Sequence, residues 1–520
     1  MLFMAMCALN AVKGMRLIMY DEYEYEQFIR KFPTYNLLEY FSMQSLDIYK
    51  NMSNGIKFED VSWYIRNKRN QMKIETHTFD VAQWDLLNVC FNSIKFGNDY
   101  RNKKVTKKDY YMLINKTSKR NEILENVQNF NDEDLRKHLL CVANMEFDFE
   151  IPNIKNRFNR LYHMMTVINQ NKKYDQTSKV NYIDFKIKFF EITGIEYEEY
   201  VNCYMFICLL SISRKSVNIM DIIKEIKFDI SKLGFTKEDI FKIISFQSKD
   251  YSFYRKFDNW NILKYNPIVH SDKYKSKYII SNISALLISF SEFMYWIIRN
   301  YYCELKKQDF TNYFGYCFEF YLSELFETYG IKANKIEETS DCKLPDWKLE
   351  TDSYIFLIEQ KSALFPIDTR STTSSKRFEI LDKYLKDNIS NAFIQLNSYD
   401  FNSNKPVIRI CLTFERIYFV EIVQDIVFPK INLIKNDYLN WIVPIDDFEK
   451  LIYILSTNKE NFNSIISQKI DLEKRKAQDG RGFDTLLDKY LNDYTDNKIN
   501  YFDAIINKDL ELLKQMKNNS

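Results

Sequence analysis

The stretch "DCKLPDWKLETDSYIFLIEQKSALF" spans residues 341–365 and predicts a β-hairpin. Its centre, "ETDS" at 350–353, is a turn signal between "PDWKL" and the apolar run "YIFLI", so the two arms are expected to pair as antiparallel strands. Folding about this turn places Asp346 nearly opposite Glu359. The period of two along a strand puts Glu359 and Lys361 on one face. Two carboxylates and an ammonium therefore converge where an apolar strand ends.

These charges would be costly to bury without compensation, and a divalent cation compensates them best. Asp346, Glu359 and the main-chain carbonyl of Gln360 offer the hard oxygen ligands that suit Mg²⁺, with Mn²⁺ as the alternative. Lys361 would then stand beside a water molecule at the metal and could orient it. These groups are the ones that metal-assisted hydrolysis of a phosphodiester requires.

The simpler interpretation is a surface ion pair on an ordinary hairpin. Glu-x-Lys is weak evidence by itself, because the chain has copies at Glu225, Glu304 and Glu359. Only the copy at Glu359 lies in a predicted strand with a Pro-Asp across the turn.

Two neighbouring helices add polar side chains to this hairpin. In "FGYCFEFYLSEL", Glu319 is expected at the edge of the packing face, where it could reach the metal or its water, and Glu324 is the weaker candidate. In "NAFIQLNSYD", Gln395 and Tyr399 are four residues apart and so are expected on one helical face. Each could instead be a routine polar residue of a helix surface.

In this order, the motifs resemble the PD-(D/E)XK nuclease superfamily, and the Gln-x-x-x-Tyr pair is similar to the motif of its RecB-like members. The resemblance covers about residues 310–425. It implies a core sheet flanked by helices and Mg²⁺-dependent cleavage of nucleic acid at Asp346, Glu359 and Lys361. Large members with a helical N-terminal region resemble bacterial restriction or antiphage defence proteins, which gives an expectation about biological role.

The predicted fold class is α+β. The expected order is an α-helical accessory or recognition region (1–255), a connecting hairpin and buried helix (256–300), a PD-(D/E)XK-like core with a mixed sheet (301–430) and a mostly helical C-terminal extension (431–520). Within the core, the pattern predicts a helix over 311–329, a strand over 331–337, the hairpin over 344–361 and a helix over 378–400. Two further strands are predicted in "PVIRICLTF" and "RIYFVEIV", and the tail from about 445 is expected to be helical.

Two basic segments are candidates for phosphate contacts. The first, residues 101–120, carries eight Lys or Arg against one Asp, with Tyr110 and Tyr111 placed to stack on bases. The second, "PIDTRSTTSSKR" at 366–377, could fold over a bound strand. A solvated helix face and a mobile loop are the alternatives. The predicted nucleic-acid-binding residues are Lys103, Lys104, Lys107, Lys108, Arg370, Lys376 and Arg377.

Composition excludes several other classes of protein. The net charge of +2 points to no polyanionic partner, so any nucleic-acid surface must be local. Nine scattered cysteines and four distant histidines form no ligand spacing and fit a reducing cytoplasm. No phosphate-binding glycine loop is present. The apolar window at 278–298 contains enough Ser, Asn and Glu to favour a buried helix over a membrane span, so no membrane partner is expected.

The sequence therefore predicts a metal-dependent nuclease of the cytoplasm that acts on DNA. Asp346 and Glu359 would bind the metal, Lys361 would position the nucleophile, and Glu319, Gln395 and Tyr399 would support it. The alternatives are a catalytically silent nucleic-acid-binding or assembly protein and a nuclease that acts on RNA. A homo-oligomer or a partner subunit stays open.

Overall fold

A computed structural model describes residues 22–53, 70–74, 77–81, 83–125, 130–146, 151–171, 180–213, 216–224, 226, 230–271, 273–274, 276–337, 343–366, 369, 376–399, 403–433, 437–475, 482–487, 489–490 and 500–508. Across these residues the protein is a mixed α+β fold in which helices predominate, as the sequence predicts.

The first half of the chain is mostly helical. Two short strands, β1 (Asn70–Ile74) and β2 (His77–Val81), pair with each other in antiparallel orientation. Asp184, Thr236 and Asn282 each cap the start of a helix by accepting a hydrogen bond from a main-chain amide. The helices are α1 (Glu22–Ile29), α2 (Thr34–Ser53), α3 (Gln83–Phe96), α4 (Lys107–Glu125), α5 (Asp132–Glu146), α6 (Ile151–Tyr162), α7 (Phe185–Thr193), α8 (Tyr197–Ser213), α9 (Ile219–Lys224) and α10 (Lys237–Gln247).

A small three-stranded sheet follows, with β4 (Ile268–His270) at its centre. Strand β3 (Ser248–Asp250) pairs with β4 in parallel, and β5 (Tyr278–Ile280) pairs with it as the predicted hairpin. Two short helices, α11 (Tyr251–Tyr254) and α12 (Ile262–Tyr265), connect β3 to β4.

The apolar window at 278–298 forms β5 and most of α13 (Ile283–Glu304), whose first three turns are buried, as predicted. Helix α13 packs against α6, α7, α8 and α2, so helices of the N-terminal half cover it. In the part of the chain that the structure describes, no helix has the length and apolarity that a membrane crossing requires.

The second half is organised by a five-stranded mixed sheet in the order β10-β9-β8-β7-β6. Strands β6, β7 and β8 are antiparallel, whereas β8, β9 and β10 are parallel. The strands are β6 (Ala333–Lys335), β7 (Trp347–Glu350), β8 (Ile355–Lys361), β9 (Val407–Thr413) and β10 (Asn440–Pro444).

Helices cover both faces of this sheet. Helix α14 (Asp309–Thr328) precedes the sheet, and the connection from β8 to β9 is helical from Arg377 to Ser398: α15 (Arg377–Tyr384), a π-helical segment (Leu385–Ser390) and α16 (Asn391–Ser398). The remaining helices are α17 (Val420–Val427), α18 (Ile445–Thr457), α19 (Lys459–Lys474) and α20 (Asp484–Leu487). A last short helix covers residues 501–508.

Alternate residues of β8 serve two different cores. Phe356 and Ile358 join the large core that also contains side chains of the N-terminal helices, α13, α14, α18 and α19. Leu357 joins a smaller core with α16, α17 and part of α5. The period of two therefore separates a face towards α14 from a face towards α16.

Two predicted elements differ from the structure. The strand predicted in "RIYFVEIV" is wrong, because Val420–Val427 is a helix whose buried Val423, Ile426 and Val427 recur at helical spacing. The extension predicted as mostly helical contributes β10, a fully buried strand that pairs with β9 and forms one edge of the sheet.

Candidate functional site

The predicted hairpin is present and sets the register of the site. Trp347 pairs with Ile358, and Glu350 pairs with Ile355. The turn is closed by Thr351, whose main-chain N donates to the carbonyl of Tyr354 over 2.9 Å. Continuing this register by one residue brings the position before Trp347 opposite Glu359, as the sequence predicts.

Asp346 is fixed at the start of β7 by main-chain hydrogen bonds on both sides. Its Oδ2 accepts from the amide of Gln360 over 2.7 Å. Its own carbonyl accepts from the amide of Ile336 over 2.9 Å, which attaches the end of β6 to the same point. The Asp346 carboxylate thus lies beside the C-terminal end of β8.

Glu359 and Lys361 project from β8 towards α16. The Lys361 ammonium donates to Glu359 Oε1 over 2.6 Å and to Gln395 Oε1 over 3.2 Å. The Glu359 side chain is only 5% exposed and the Lys361 side chain 20%, so this pair is far less solvated than a surface salt bridge. The structure therefore joins Glu359, Lys361 and Gln395 in one network.

The electrostatics of Asp346 reflect the crowding of carboxylates. Burial, and then the nearby Glu359 carboxylate, raise its pKa from 3.8 to about 8, although the Gln360 amide and Lys361 oppose this shift. Glu319 adds a further small upward contribution to the pKa of Asp346. A raised pKa in a carboxyl that neighbours another carboxylate is typical of a functional site.

Strand β9 supplies the neighbouring surface of the site. In the parallel register, Glu359 pairs with Cys411 and Lys361 pairs with Thr413. Cys411 is buried, which raises the pKa of its thiol to about 12, and it behaves as a packing residue. The Thr413 hydroxyl is buried and has no hydrogen-bond partner among the described residues.

The two candidate glutamates of α14, Glu319 and Glu324, have different partners. Glu319 forms an ion pair with Lys335 of β6, and its side chain is 20% exposed. Sequence reasoning missed Lys335, which a register for "KANK" opposite the "PDW" strand would have placed there. Glu324, the weaker candidate, instead accepts a hydrogen bond from His163 Nε2 over 2.7 Å.

Tyr399 does not share a helical face with Gln395. Helix α16 ends at Ser398, and Tyr399 follows it with extended backbone angles (φ −86°, ψ 98°). Its ring packs beside the smaller core. The predicted helix over 378–400 is thus shorter at its C-terminal end, and Tyr399 lies just beyond it.

The basic segment at 101–120 is only partly available to a ligand. Tyr110 is 1% exposed and packs against Phe41, so the prediction that its ring stacks on bases is wrong. Tyr110 lies on the apolar face of α4, which packs against Phe41 of α2. Lys103 pairs with Asp109 over 3.0 Å, whereas Lys104, Lys107 and Lys108 are exposed.

The basic residues predicted at 366–377 are likewise only partly available to a ligand. Arg370 lies outside the described residues, and Lys376 is exposed before α15. Arg377 is 5% exposed; it donates to His138 Nδ1 over 3.2 Å and stacks on Phe130 and Phe378. The prediction that Arg377 contacts phosphate is not met in this arrangement, because the guanidinium joins α15 to α5.

Among the residues that the structure describes, no three His, Cys, Asp or Glu side chains come together as a metal-binding group. The predicted ligand set contains three side chains of that kind, Asp346, Glu359 and Glu319, together with the main-chain carbonyl of Gln360, but Glu319 is paired with Lys335. Comparisons of the chain with protein-family models, with curated proteins and with solved structures found no match.

Proposed function

We propose that this protein is a metal-dependent phosphodiester hydrolase that cleaves nucleic acid, with DNA as the expected substrate. The observation that carries the proposal is the network in which Lys361 contacts both Glu359 and Gln395 while the Asp346 carboxylate lies across the hairpin. All the polar groups that the hairpin motif requires lie at one end of β8. The five-stranded sheet with helices on both faces agrees with the architecture that the resemblance implies.

The donor set suits Mg²⁺ or Mn²⁺. Two carboxylates and the main-chain carbonyl of Gln360 are hard oxygen ligands, and so few protein ligands fit an ion that retains several waters. The raised pKa of Asp346 supports this assignment, since a cation between Asp346 and Glu359 would relieve their repulsion. When bound, the ion supplies Lewis-acid stabilisation of the negative charge that develops on the phosphodiester.

The remaining residues of the network bind the phosphate and orient the attacking water. The Lys361 ammonium has three donors, two of which reach Glu359 and Gln395. The third has no acceptor among the described residues, so it can hold an attacking water or a phosphate oxygen. Gln395 uses its carbonyl oxygen for Lys361, which leaves its amide NH₂ to donate to a phosphate oxygen. Lys335 neutralises Glu319 and so limits the negative charge that faces an incoming phosphate.

A cleavage assay tests this function. The purified protein is incubated with plasmid DNA, linear duplex, single-stranded DNA and RNA, in Mg²⁺, Mn²⁺ or EDTA, beside Asp346→Ala and Lys361→Ala. We expect cleavage that requires the metal and that each substitution abolishes. The preferred substrate then separates a DNA nuclease from an RNA nuclease.

Lys405→Ala is the matched control. Lys405 forms an ion pair with Glu350 at the turn end of the same hairpin, over 2.8 Å, but lies far along the strands from Lys361. It should cleave like the wild type. Cleavage that persists in Lys361→Ala and Asp346→Ala would overturn the proposal, because a contaminating enzyme or another site would then be responsible.

A further inference from the structure

An exposed aromatic and basic cluster lies in the helical half of the chain. It consists of Tyr35, Tyr100, Tyr274, Lys273 and Lys277, and we call it the tyrosine platform. Tyr100 is 80% exposed and Tyr274 36% exposed, and large exposed rings that cluster on a surface can mark an interaction site. The platform is built from three segments that are distant in sequence.

The rings and ammonium groups alternate. Lys273 Nζ lies 5.4 Å from the centroid of the Tyr100 ring and 5.0 Å from that of Tyr274. The Tyr274 ring meets the Tyr35 ring edge-on, with centroids 4.9 Å apart, and Lys277 Nζ lies 5.6 Å from the Tyr35 ring. Aromatic faces and positive charges are thus presented together on one surface.

A buried aspartate holds the platform in place. Asp99 is 4% exposed, and its Oδ1 accepts from the main-chain N of Tyr35 over 3.1 Å. Its Oδ2 accepts from the hydroxyl of Ser271 over 2.5 Å, and its carbonyl accepts from Lys273 Nζ over 3.1 Å. One side chain therefore fixes all three segments, so the rings are pre-organised for a ligand.

The surrounding charge favours an anionic partner. Arg101 directly follows Tyr100, and Lys104 lies three residues further on. Both are exposed, and in the described part of the chain neither makes an ion pair with an acidic side chain. The acidic groups nearby are Glu39, which Lys277 neutralises over 2.6 Å, Asp221 and the buried Asp99, against four Lys or Arg side chains at the platform. A net positive surface that carries exposed rings is complementary to phosphates and unpaired bases.

We infer that the tyrosine platform binds an unpaired nucleic-acid strand, with Tyr100 and Tyr274 stacking on bases while Arg101, Lys104 and Lys273 contact phosphates. Stacking needs the face of a base, which a duplex keeps inside its own stack, so single strands bind better than duplex. Stacking and phosphate contacts do not read the sugar, so DNA and RNA share this chemistry. The inference concerns a site of its own and does not require cleavage.

Binding is measured by fluorescence anisotropy in EDTA, with labelled single-stranded DNA, single-stranded RNA and duplex DNA of the same sequence. The full chain is compared with Tyr100→Ala, Tyr274→Ala and the ring-preserving Tyr100→Phe. Each alanine variant is expected to weaken single-strand binding by about fivefold to a hundredfold, whereas Tyr100→Phe binds like the wild type.

Tyr23→Ala is the control, because Tyr23 is 69% exposed and lies on α1 between two glutamates. It should bind like the wild type. Duplex bound as tightly as single strand, or alanine variants that bind single strands like the wild type, would overturn the inference. Because EDTA removes any metal, a failed cleavage assay leaves this result unaffected, and loss of the platform leaves the hydrolase proposal testable.

Discussion

Lys361 and Gln395 are joined by a hydrogen bond in which the lysine ammonium donates to Oε1 of the glutamine over 3.2 Å. This contact connects the end of β8 to α16, through two residues that are 34 positions apart in the chain. It holds the ammonium at the side of Glu359 that faces the smaller core. The site is thus formed by a strand and the helix that follows it.

Gln395→Ala should lower the cleavage rate by about tenfold to a hundredfold while substrate binding stays close to that of the wild type. The substitution removes one of the two acceptors that orient the Lys361 ammonium. Single-turnover kinetics and a separate binding measurement distinguish the two effects. Asn397→Ala on the same helix, which loses only a bond to the carbonyl of Phe393, should cleave normally. Equal rates in both variants would argue against a role for Gln395.

Because the pKa of Asp346 is raised, the stability of the metal-free protein should depend on pH. Folding raises its pKa from 3.8 to about 8, so between these values the folded chain holds a proton that the unfolded chain releases. The stabilisation from this proton is complete below the lower pKa and is lost as the pH rises through the upper one. Asp346→Asn does not titrate and should therefore gain stability over the wild type as the pH rises.

Thermal unfolding in EDTA from about pH 4 to about pH 9 measures this difference. Asn keeps an oxygen that can accept from the Gln360 amide, so the variant preserves the local hydrogen bond. The midpoint of the wild type should fall relative to that of Asp346→Asn as the pH increases. Parallel curves for the two proteins would show that folding leaves the pKa of Asp346 near its ordinary value.

Arg377→Ala should lower the free energy of unfolding by roughly 1–3 kcal/mol and leave nucleic-acid affinity unchanged. The guanidinium stacks on Phe130 and Phe378 and donates to His138, so its loss weakens the contact between α15 and α5. Chemical denaturation compares it with the exposed neighbour Lys376→Ala, which should change stability by less than about 0.5 kcal/mol. A stable Arg377→Ala that loses affinity would restore the original prediction of a phosphate contact.

Arg160 joins the N-terminal helices to the C-terminal part of the chain. It donates to Glu449 over 3.0 Å and also contacts Asp446, and all three side chains are largely buried. Burial alone would raise the pKa of Asp446, but Arg160 and Arg416 outweigh it and lower that pKa to about 2. Removing Arg160 therefore leaves buried acidic groups with too little compensation.

Arg160→Ala should lower the free energy of unfolding by about 3–5 kcal/mol, as measured by chemical denaturation near neutral pH. The comparison is Lys155→Ala on the same helix, which breaks the more solvated pair with Asp503 and should cost less than about 1 kcal/mol. Similar losses in both variants would show that Arg160 does not act as a buried connection between the two halves.

The hairpin was predictable because two local signals agreed. The turn at 350–353 fixed the register, and the period of two then placed Glu359 and Lys361 on one face, as the structure has them. Helix α14 was predicted to within two residues at each end, since apolar spacing continues over several turns. Strong periodicity and a short-range turn need no knowledge of tertiary packing.

The predictions were wrong where tertiary packing determines which side chains are buried and which secondary structure forms. Tyr110 and Arg377 were assigned to a ligand from composition alone, but a helix face covers one and a facing helix binds the other. The segment at 416–423 alternates over its first residues, and only packing of Val423 and Ile426 selects the helix. Tyr100 could have been noticed, because it lies beside Arg101 in a polar segment without apolar periodicity.

The most direct test of the account is the binding of Mn²⁺, measured by electron paramagnetic resonance titration of the full chain and of Asp346→Ala, without substrate. This measurement depends on neither the choice of nucleic acid nor any activating signal. The account predicts a saturable site in the wild type that Asp346→Ala loses. Equal Mn²⁺ binding by the two proteins, or none by the wild type, would contradict the claim that Asp346 and Glu359 form a metal centre.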